Sequence, residues 1–482
     1  MQVQGRVVVH VVGLLTAFAG ASMLVPAGVS LAYREAAAVQ FLLSGALTMA
    51  FGTLAYRLTR PIADIRIRDG FAIVTLGWVS VTAFGSLPFL LTGSISSISG
   101  AFFESMSGFT TTGATVVSDI DVLPRGIVFW RSLTHWLGGM GIIVLSVAIL
   151  PLLGVGGMQL MQAEIPGLAP DRIRPRVRQT AALLWVVYAL LTAAEVVFLL
   201  FGEMSAFEAV NHAFATLATG GFSTEDASVG AFESAYVQYV IATFCVLAGM
   251  NFTLHHQWLS GDWRTVLRNS ELRVYLVILA AATALLTVIV YLPRDAATLE
   301  ESFRASFFQA ASLMTTTGFV TVDYELWAPA AHVVLVLLML IGGCTGSTSG
   351  SVKVLRYMLV AKEARISLRK LLHPAGVFVY KLGGRTISED VLANVSGFLL
   401  LYLGALGAGI LALTLFGLDS RTAVGAAVAT LGNVGPGLGL VGPSTTYAGM
   451  GDAALWVMSS LMLLGRLEIF TVLILFTRGY WR

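Results

Sequence analysis

The chain has 482 residues, 56% of them hydrophobic and only 12% charged, where an ordinary soluble domain carries about 25% charged residues. A water-soluble globule of this length cannot bury that much apolar surface, so lipid is the expected solvent. The formal net charge of +2 says little, because in a membrane protein the placement of the positive charges carries the information.

A transmembrane helix needs about 20 mostly apolar residues. Ten runs reach that length, at about 7–31, 36–56, 71–92, 126–153, 180–202, 235–259, 272–292, 329–360, 391–417 and 453–477. The first follows a lone early charge, Arg6, and outlasts the apolar region of a signal peptide, so it is expected to remain as a span. Beyond the second run the chain falls into four units of span, short segment and span. The short segments, about 97–112, 204–219, 300–317 and 419–433, cannot cross a bilayer and have the length of re-entrant helices. Non-helical backbone at membrane depth is tolerated only against protein or a water-filled cavity. Four such segments therefore predict one shared, wet interior.

Each short segment ends in a variant of one phrase: Thr110-Thr111-Thr112-Gly113-Ala114-Thr115, Ala218-Thr219-Gly220-Gly221-Phe222-Ser223-Thr224, Thr315-Thr316-Thr317-Gly318-Phe319-Val320-Thr321 and, most divergently, Leu431-Gly432-Asn433-Val434-Gly435-Pro436-Gly437. A unit of about a hundred residues repeated four times describes the fold itself. One such phrase alone would more often mean close helix packing through small residues. Four copies in corresponding places point to a pore on one axis. The expected fold is thus an all-α polytopic membrane protein. Two N-terminal helices (residues 1–60) precede four pseudo-symmetric helix–pore-loop–helix repeats around a central ion pore, at 61–155, 156–260, 261–370 and 371–482.

Basic residues orient the chain. Arg57, Arg60, Arg66 and Arg68 follow the second span; Arg172, Arg174, Arg176 and Arg178 follow the fourth; Arg264, Arg268 and Arg273 follow the sixth. Lys353, Arg356, Lys362, Arg365, Arg369, Lys370, Lys381 and Arg385 lie between the eighth and ninth, and Arg6, Arg478 and Arg482 at the ends. The positive-inside rule makes these segments and both termini cytoplasmic. The four phrases then face outward, near Asp119, Asp121, Glu225, Asp226, Glu233, Asp323 and Glu325.

A bare alkali ion enters such a pore only if oxygen dipoles replace its water, and backbone carbonyls do this without side-chain charge. Glycine allows the φ > 0 turn that aims successive carbonyls at an axis, and neighbouring threonines can add hydroxyl oxygens. Helix C-termini aimed at the cavity favour a cation. No Asp or Glu ring lies inside the phrases, which argues for a monovalent cation over a divalent one.

Two features belong to gating. The eighth span contains Gly342-Gly343-Cys344-Thr345-Gly346-Ser347-Thr348-Ser349-Gly350, which cannot hold a stiff helix. It reads either as a flexible packing break or as a loop that obstructs the pore beneath the filter. Arg466 lies deep in the last span, where a charge is expensive and faces protein or water. It either pairs with Glu468 or a carboxylate such as Glu195, or stands in the pore as a positive barrier below the filter. Cys245 and Cys344 read as small core residues. His135, His212, His255 and His256 lack a third ligand at metal spacing, and Glu104, Asn211 and Gln309 read as ties between short helices and their neighbours. Trp258, Trp263 and Trp327 suit interfacial anchors.

At these residues the sequence resembles the TrkH/TrkG branch of the superfamily of K+ transporters that also contains KtrB and the plant HKT proteins. The resemblance covers essentially the whole chain, and the two extra N-terminal spans favour the Trk branch. It implies that each repeat supplies a quarter of a K+ filter centred on Gly113, Gly221, Gly318 and Gly435. Thr111 and Thr112, Thr219 and Gly220, Thr316 and Thr317, and Asn433 and Val434 would supply the carbonyls. HKT proteins that prefer Na+ often carry serine at the first filter position, where this chain has Gly113. The resemblance also implies a gate formed by the 342–350 loop, in particular Gly342, Gly343, Thr345, Gly346, Ser347 and Gly350, with Lys353 at its cytoplasmic end and Arg466.

No Walker A sequence or dinucleotide fingerprint occurs, so an energy source or regulator is expected from another chain. By resemblance this is a cytosolic nucleotide-binding subunit like TrkA, landing on the basic 353–390 region, and the protein is expected to be a homodimer. The reading is potassium uptake across the bacterial inner membrane, with K+ as cargo, no organic cofactor, membrane lipid around the chain and no nucleic-acid partner. A cation-coupled secondary transporter of another solute is the alternative, although such folds usually show two inverted repeats around a midplane site. An enzyme is not expected, because no nucleophile–base pair or paired acidic motif is found.

Overall fold

The computed structural model describes residues 3–59, 66–148, 173–202, 204–292, 298–376, 378–379, 381–382 and 385–481. The expected repeat boundaries at 60/61 and 155/156, and Arg60 and Arg172 of the basic loops, lie outside the described residues. Two N-terminal helices come first: a broken one, α1 (Gly5–Ser22) and α2 (Leu24–Ala32), and α3 (Ala37–Leu58). They pack closely because Gly13 and Gly52, and Gly20 and Gly45, meet backbone to backbone; a Cβ at Gly52 would overlap Ala17 and the Gly13 carbonyl.

Four units follow. The first has α4 (Ile67–Gly85) with α5 (Leu87–Thr92), short α6 (Ile98–Phe109) and α7 (Arg125–Ala148). The second has α8 (Ile173–Leu200), short α9 (Ala206–Leu217), α10 (Ala235–Ala248) and α11 (Phe252–Leu259). After the connecting α12 (Trp263–Arg268), the third has α13 (Ser270–Tyr291), short α14 (Leu299–Met314), α15 (Pro329–Ile341) and, beyond a non-helical loop, α16 (Val354–Leu372). The fourth has α17 (Glu389–Leu415), short α18 (Ser420–Leu431), α19 (Asp452–Arg466) and α20 (Phe470–Leu473). A two-residue antiparallel ladder, Lys381–Leu382 with Arg385–Thr386, lies between α16 and α17. The protein is otherwise an all-helical membrane fold, with six helices among the described residues long and apolar enough to cross a bilayer.

Among the described residues, two more of the expected spans bend sharply. The run expected at 235–259 bends by 101° between α10 and α11, and the run at 453–477 by 110° between α19 and α20. Hydropathy cannot see either break, because both sides are apolar. At the first, the Asn251 side chain accepts from the Thr253 N–H at 2.8 Å and starts a new helix. At the second, Glu468 and Ile469 both adopt φ > 0, at 56° and 52°, which ends the α-helix.

Burial separates the two kinds of helix. The spans turn large apolar side chains outward, as at Leu47, Leu54, Val186 and Leu400, because lipid rather than water covers them. The short helices are enclosed: every residue of α18 from Ala426 to Leu431 is buried, as are Ala209, Ala213, Ala215, Thr216 and Leu217 of α9. Each begins at a capping side chain legible in the sequence. Ser97 accepts from Gly100 N–H, Ser205 and Thr298 form capping boxes with Glu208 and Glu301, and Asp419 accepts from Arg421 and Thr422 N–H.

Candidate functional site

All four short helices end in the same way. Thr111, Thr219, Thr316 and Asn433 stand two residues before the phrase glycines and take left-handed φ values of 52°, 55°, 59° and 54°. Their N–H groups donate to the carbonyls of Gly108, Thr216, Leu313 and Thr430. The next N–H groups, of Thr112, Gly220, Thr317 and Val434, donate to Ser107, Ala215, Ser312 and Ala429, each at 2.8 Å. This pair of bonds is the Schellman helix stop, whose left-handed position is usually glycine. Here it is threonine three times, although a β-branched residue in that region is a genuine outlier, costing about 1–3 kcal/mol. From the sequence, a φ > 0 turn is expected only at the glycines, and the left-handed threonines are a departure from that expectation.

Gly113, Gly221, Gly318 and Gly435 do turn, with φ of 81°, 85°, 84° and 99°. A positive φ at every second residue swings the intervening carbonyls to one side. The glycines are also required by space. A Cβ on Gly113 would overlap the Gly220 carbonyl oxygen, one on Gly221 that of Thr317, and one on Gly318 that of Val434. One on Gly435 would lie 2.6 Å from that of Thr112. Each quarter thus touches the next and the fourth touches the first, so the ring closes. All four glycines line one cavity open towards Glu225 and Asp226. Asp119, Asp121 and Asp226 form an exposed acidic group on that side.

The quarters differ behind the ring. Thr112, Thr317 and Val434 are β-branched and buried, but the second quarter has Gly220, because the His135 ring fills the space where its Cβ would stand. His135 Nδ1 bonds the Gly108 carbonyl at 2.8 Å and Nε2 accepts from the Phe222 N–H at 3.2 Å, which braces the first short helix against the second quarter. Glu104 is wholly buried and meets Arg131 at 2.8 Å. It also accepts from the Thr115 hydroxyl and the Val116 N–H, while the guanidinium lies over the Phe222 ring. Glu104 therefore ties helices together; Asn211 donates within its own helix to Phe207 O, and Gln309 reaches Thr321 at 3.4 Å. In the fourth quarter Asn433 Nδ2 donates to Thr112 Oγ1 and to Met462 O, both at 3.0 Å.

The glycine-rich segment lies directly beneath this ring. Its base is pinched shut by Lys353 N–H to Ile341 O at 2.8 Å and Val354 N–H to Gly343 O at 3.1 Å. Gly342 and Gly346 adopt φ of 78° and 79°, and Ser351 and Lys353 of 59° and 75°. Other elements hold the loop: Cys344 N–H donates to Gly249 O at 2.8 Å, Thr345 N–H to Glu271 at 2.6 Å, and Gly346 O accepts from Phe252 N–H at 3.1 Å. Gly350 N–H donates to Thr316 Oγ1 at 2.7 Å, and Thr348 Oγ1 to Leu217 O at 3.0 Å. The Ser347 hydroxyl bonds within the loop to Cys344 O.

Arg466 pairs with neither carboxylate weighed for it. Its Nη1 donates to Thr348 O in the loop at 2.7 Å, and its buried Nε and Nη2 have no partner among the described residues. Glu468 is taken by Arg356 at 2.5 Å. Lys353 is buried, with Glu271 and Glu468 as its acidic neighbours. Thr348, Phe252 and Glu271, which hold the loop, were not singled out in the sequence; their roles depend on contacts between distant segments. Cys245 and Cys344 are both free and buried.

Comparison with known proteins agrees with this arrangement. Residues 37–480 match the TrkH family model, described as a cation transport protein. The chain is 41% identical over 481 residues to the Trk system potassium uptake protein TrkH of Escherichia coli K12, covering 99% of each, and 36% identical over 481 residues to TrkG of that strain, again 99% of each. The crystal structure of the potassium transporter TrkH from Vibrio parahaemolyticus superposes with a TM-score of 0.92 at 38% identity, covering 99% of this chain and 100% of that one. On this evidence the chain belongs to the TrkH family of cation transport proteins.

Proposed function

We propose that the protein carries K+ inward across the bacterial inner membrane, through the ring at Gly113, Gly221, Gly318 and Gly435. The observation that carries this reading is the closed circuit of four identical turns, with the carbonyls of Thr112, Gly220, Thr317 and Val434 each packed against the next glycine. Carbonyl dipoles at that density can replace an alkali ion's hydration shell, and four helix C-termini add favourable potential for a cation. Thr111, Thr219, Thr316 and Asn433 supply the next carbonyls inward. A fourfold ring also favours a pore over a midplane site between two inverted repeats.

The 342–350 loop, with Lys353 at its foot, acts as the gate. Its hydrogen bonds to the second and third quarters support a position across the exit of the ring, where Arg466 would add a desolvated positive charge. Opening requires the loop and Arg466 to move aside. A cytosolic nucleotide-binding subunit pulling on basic α16, which leads straight out of the loop, would supply that force. The relatives are named for a multi-part uptake system, which supports such a subunit; we also infer a homodimer and cytoplasmic termini.

The test is flux into proteoliposomes holding the purified protein, with K+, Rb+, Na+ and Li+ assayed separately, alone and with the nucleotide-binding subunit. Selective K+ and Rb+ uptake that rises with the subunit is expected. Equal uptake of all four ions would refute the filter, and no uptake in either condition would refute the function.

A further inference from the structure

Among the described residues, one carboxylate lies beyond the first turn of a leading span and is used by neither ring nor loop. Glu195 lies on α8, five residues from its outer end, fully buried, and both of its oxygens lack a hydrogen-bond partner. The leading spans of the other three repeats have acidic residues only in their first turns: Asp69, Glu271, and Glu389 with Asp390. An ionised carboxylate buried without a partner inside a lipid-facing bundle is prohibitively costly, so the group is neutral there.

The neighbours fit the neutral acid. The hydroxyl that bears most directly on Glu195 is that of Thr216, on the second short helix, and burial outweighs any help it gives the ionised form. The Thr216 hydroxyl has one proton and spends it on the His212 carbonyl at 2.7 Å. Its remaining lone pairs repel a carboxylate but can accept a carboxylic O–H. Among the groups on the packed elements, Tyr188 on α8 and Cys245 on α10 also interact with Glu195. His212 on α9 bonds Glu208 O and Ser223, His135 on α7 bonds Gly108 O and Phe222, and His255 on α11 bonds Leu247 O. Arg131 is held by Glu104, and Arg466 donates to the loop. No basic side chain among the described residues offers Glu195 a counter-charge.

We propose that Glu195 is a proton-binding site behind the second short helix, and that losing this proton disturbs the ring at Thr219. The coupling route is short. Thr216 O accepts the N–H of Thr219 at 2.9 Å, one of the two bonds holding that left-handed residue. An ionised Glu195 would draw the Thr216 hydroxyl away from His212 O and open the turn above it. This second clause rests on the filter reading; the proton site does not.

Infrared difference spectroscopy of the full-length protein in lipid tests the site itself. A deuterium-sensitive carboxylic C=O band at neutral pH should vanish in Glu195→Gln and shift in Glu195→Asp. An unchanged spectrum would overturn the site. Flux then tests the coupling: the K+/Na+ permeability ratio of the wild type should fall by at least a few fold as alkali removes the proton, while Glu195→Gln, which stays neutral, should hold its neutral-pH ratio. Identical pH profiles would overturn the coupling while leaving an observed band intact. A Gly113→Ser variant that leaves selectivity untouched would instead count against the filter.

Discussion

The ring and the loop beneath it share glycines and positive φ values but are held in opposite ways. In the ring, the left-handed residue that ends each short helix is fixed by a pair of bonds to its own helix, and the pattern recurs four times. In the loop, stabilisation comes mainly from elsewhere: Glu271 on α13, the bend at Gly249–Asn251, Thr316 in the ring and Arg466 on α19. Local bonds cannot be released without unfolding a helix end. Borrowed ones break singly when a neighbouring helix shifts. The difference separates a part whose geometry is held locally from one whose geometry depends on its neighbours, as the proposed gate requires.

Substitutions that break this contrast should rank in order. The largest effect is expected at the ring: Gly318→Ala forces a Cβ onto the Val434 carbonyl at a backbone angle that disfavours it. Selective K+ flux should be abolished, whereas Gly435→Ala, whose Cβ would meet the Thr112 carbonyl at 2.6 Å, a looser approach than at Gly318, should be the less damaging of the two; greater damage at Gly435 would contradict the packing argument. Gly113→Ser is expected to weaken K+/Na+ discrimination by the same clash.

Next comes the loop. Arg466→Ala removes both the barrier charge and a bond from a charged donor, worth about 1.5–3 kcal/mol, so partner-free flux should rise roughly ten- to a hundredfold. Lower or equal flux at matched protein would sink the barrier. Glu271→Gln weakens the grip on the Thr345 N–H and should raise partner-free flux about tenfold or less, without altering ion preference. Smallest of all, Thr316→Val deletes only the acceptor for Gly350 N–H, a neutral bond of about 1 kcal/mol. A severalfold rise is expected, and a loss of selectivity there would mean that the hydroxyl serves the ring rather than the loop.

Much of this was legible in the residues. The short helices announced themselves by length and by the repeated phrase at their ends; caps such as Ser205 with Glu208 and Thr298 with Glu301 are a further signal on which that expectation did not draw. The four glycines could be aligned even in the divergent last phrase, because no other residue tolerates both the angle and the approach of the next carbonyl. The left-handed threonines were not legible, since propensity argues against them and only the fourfold enclosure overrides it. The bends after Ala248 and Arg466 were hidden because hydropathy counts apolar residues and ignores direction. The residues left Arg466 either paired with a carboxylate or standing as a positive charge below the filter; only the fold shows that its bond goes to a backbone oxygen 118 residues away.

The link from Asn433 to Met462 gives the fourth quarter a mechanical asymmetry. Asn433 is part of the ring, while Met462 sits one helical turn before Arg466 on α19. Gly465 lets that helix press against the Leu431 carbonyl and Asn433 with no side chain between them. A ring of four identical subunits would repeat such a strut four times, loading every side alike. A single chain can fit one strut to one side, so any swing of α19 also tugs one corner of the ring through Asn433 and spares the other three that pull.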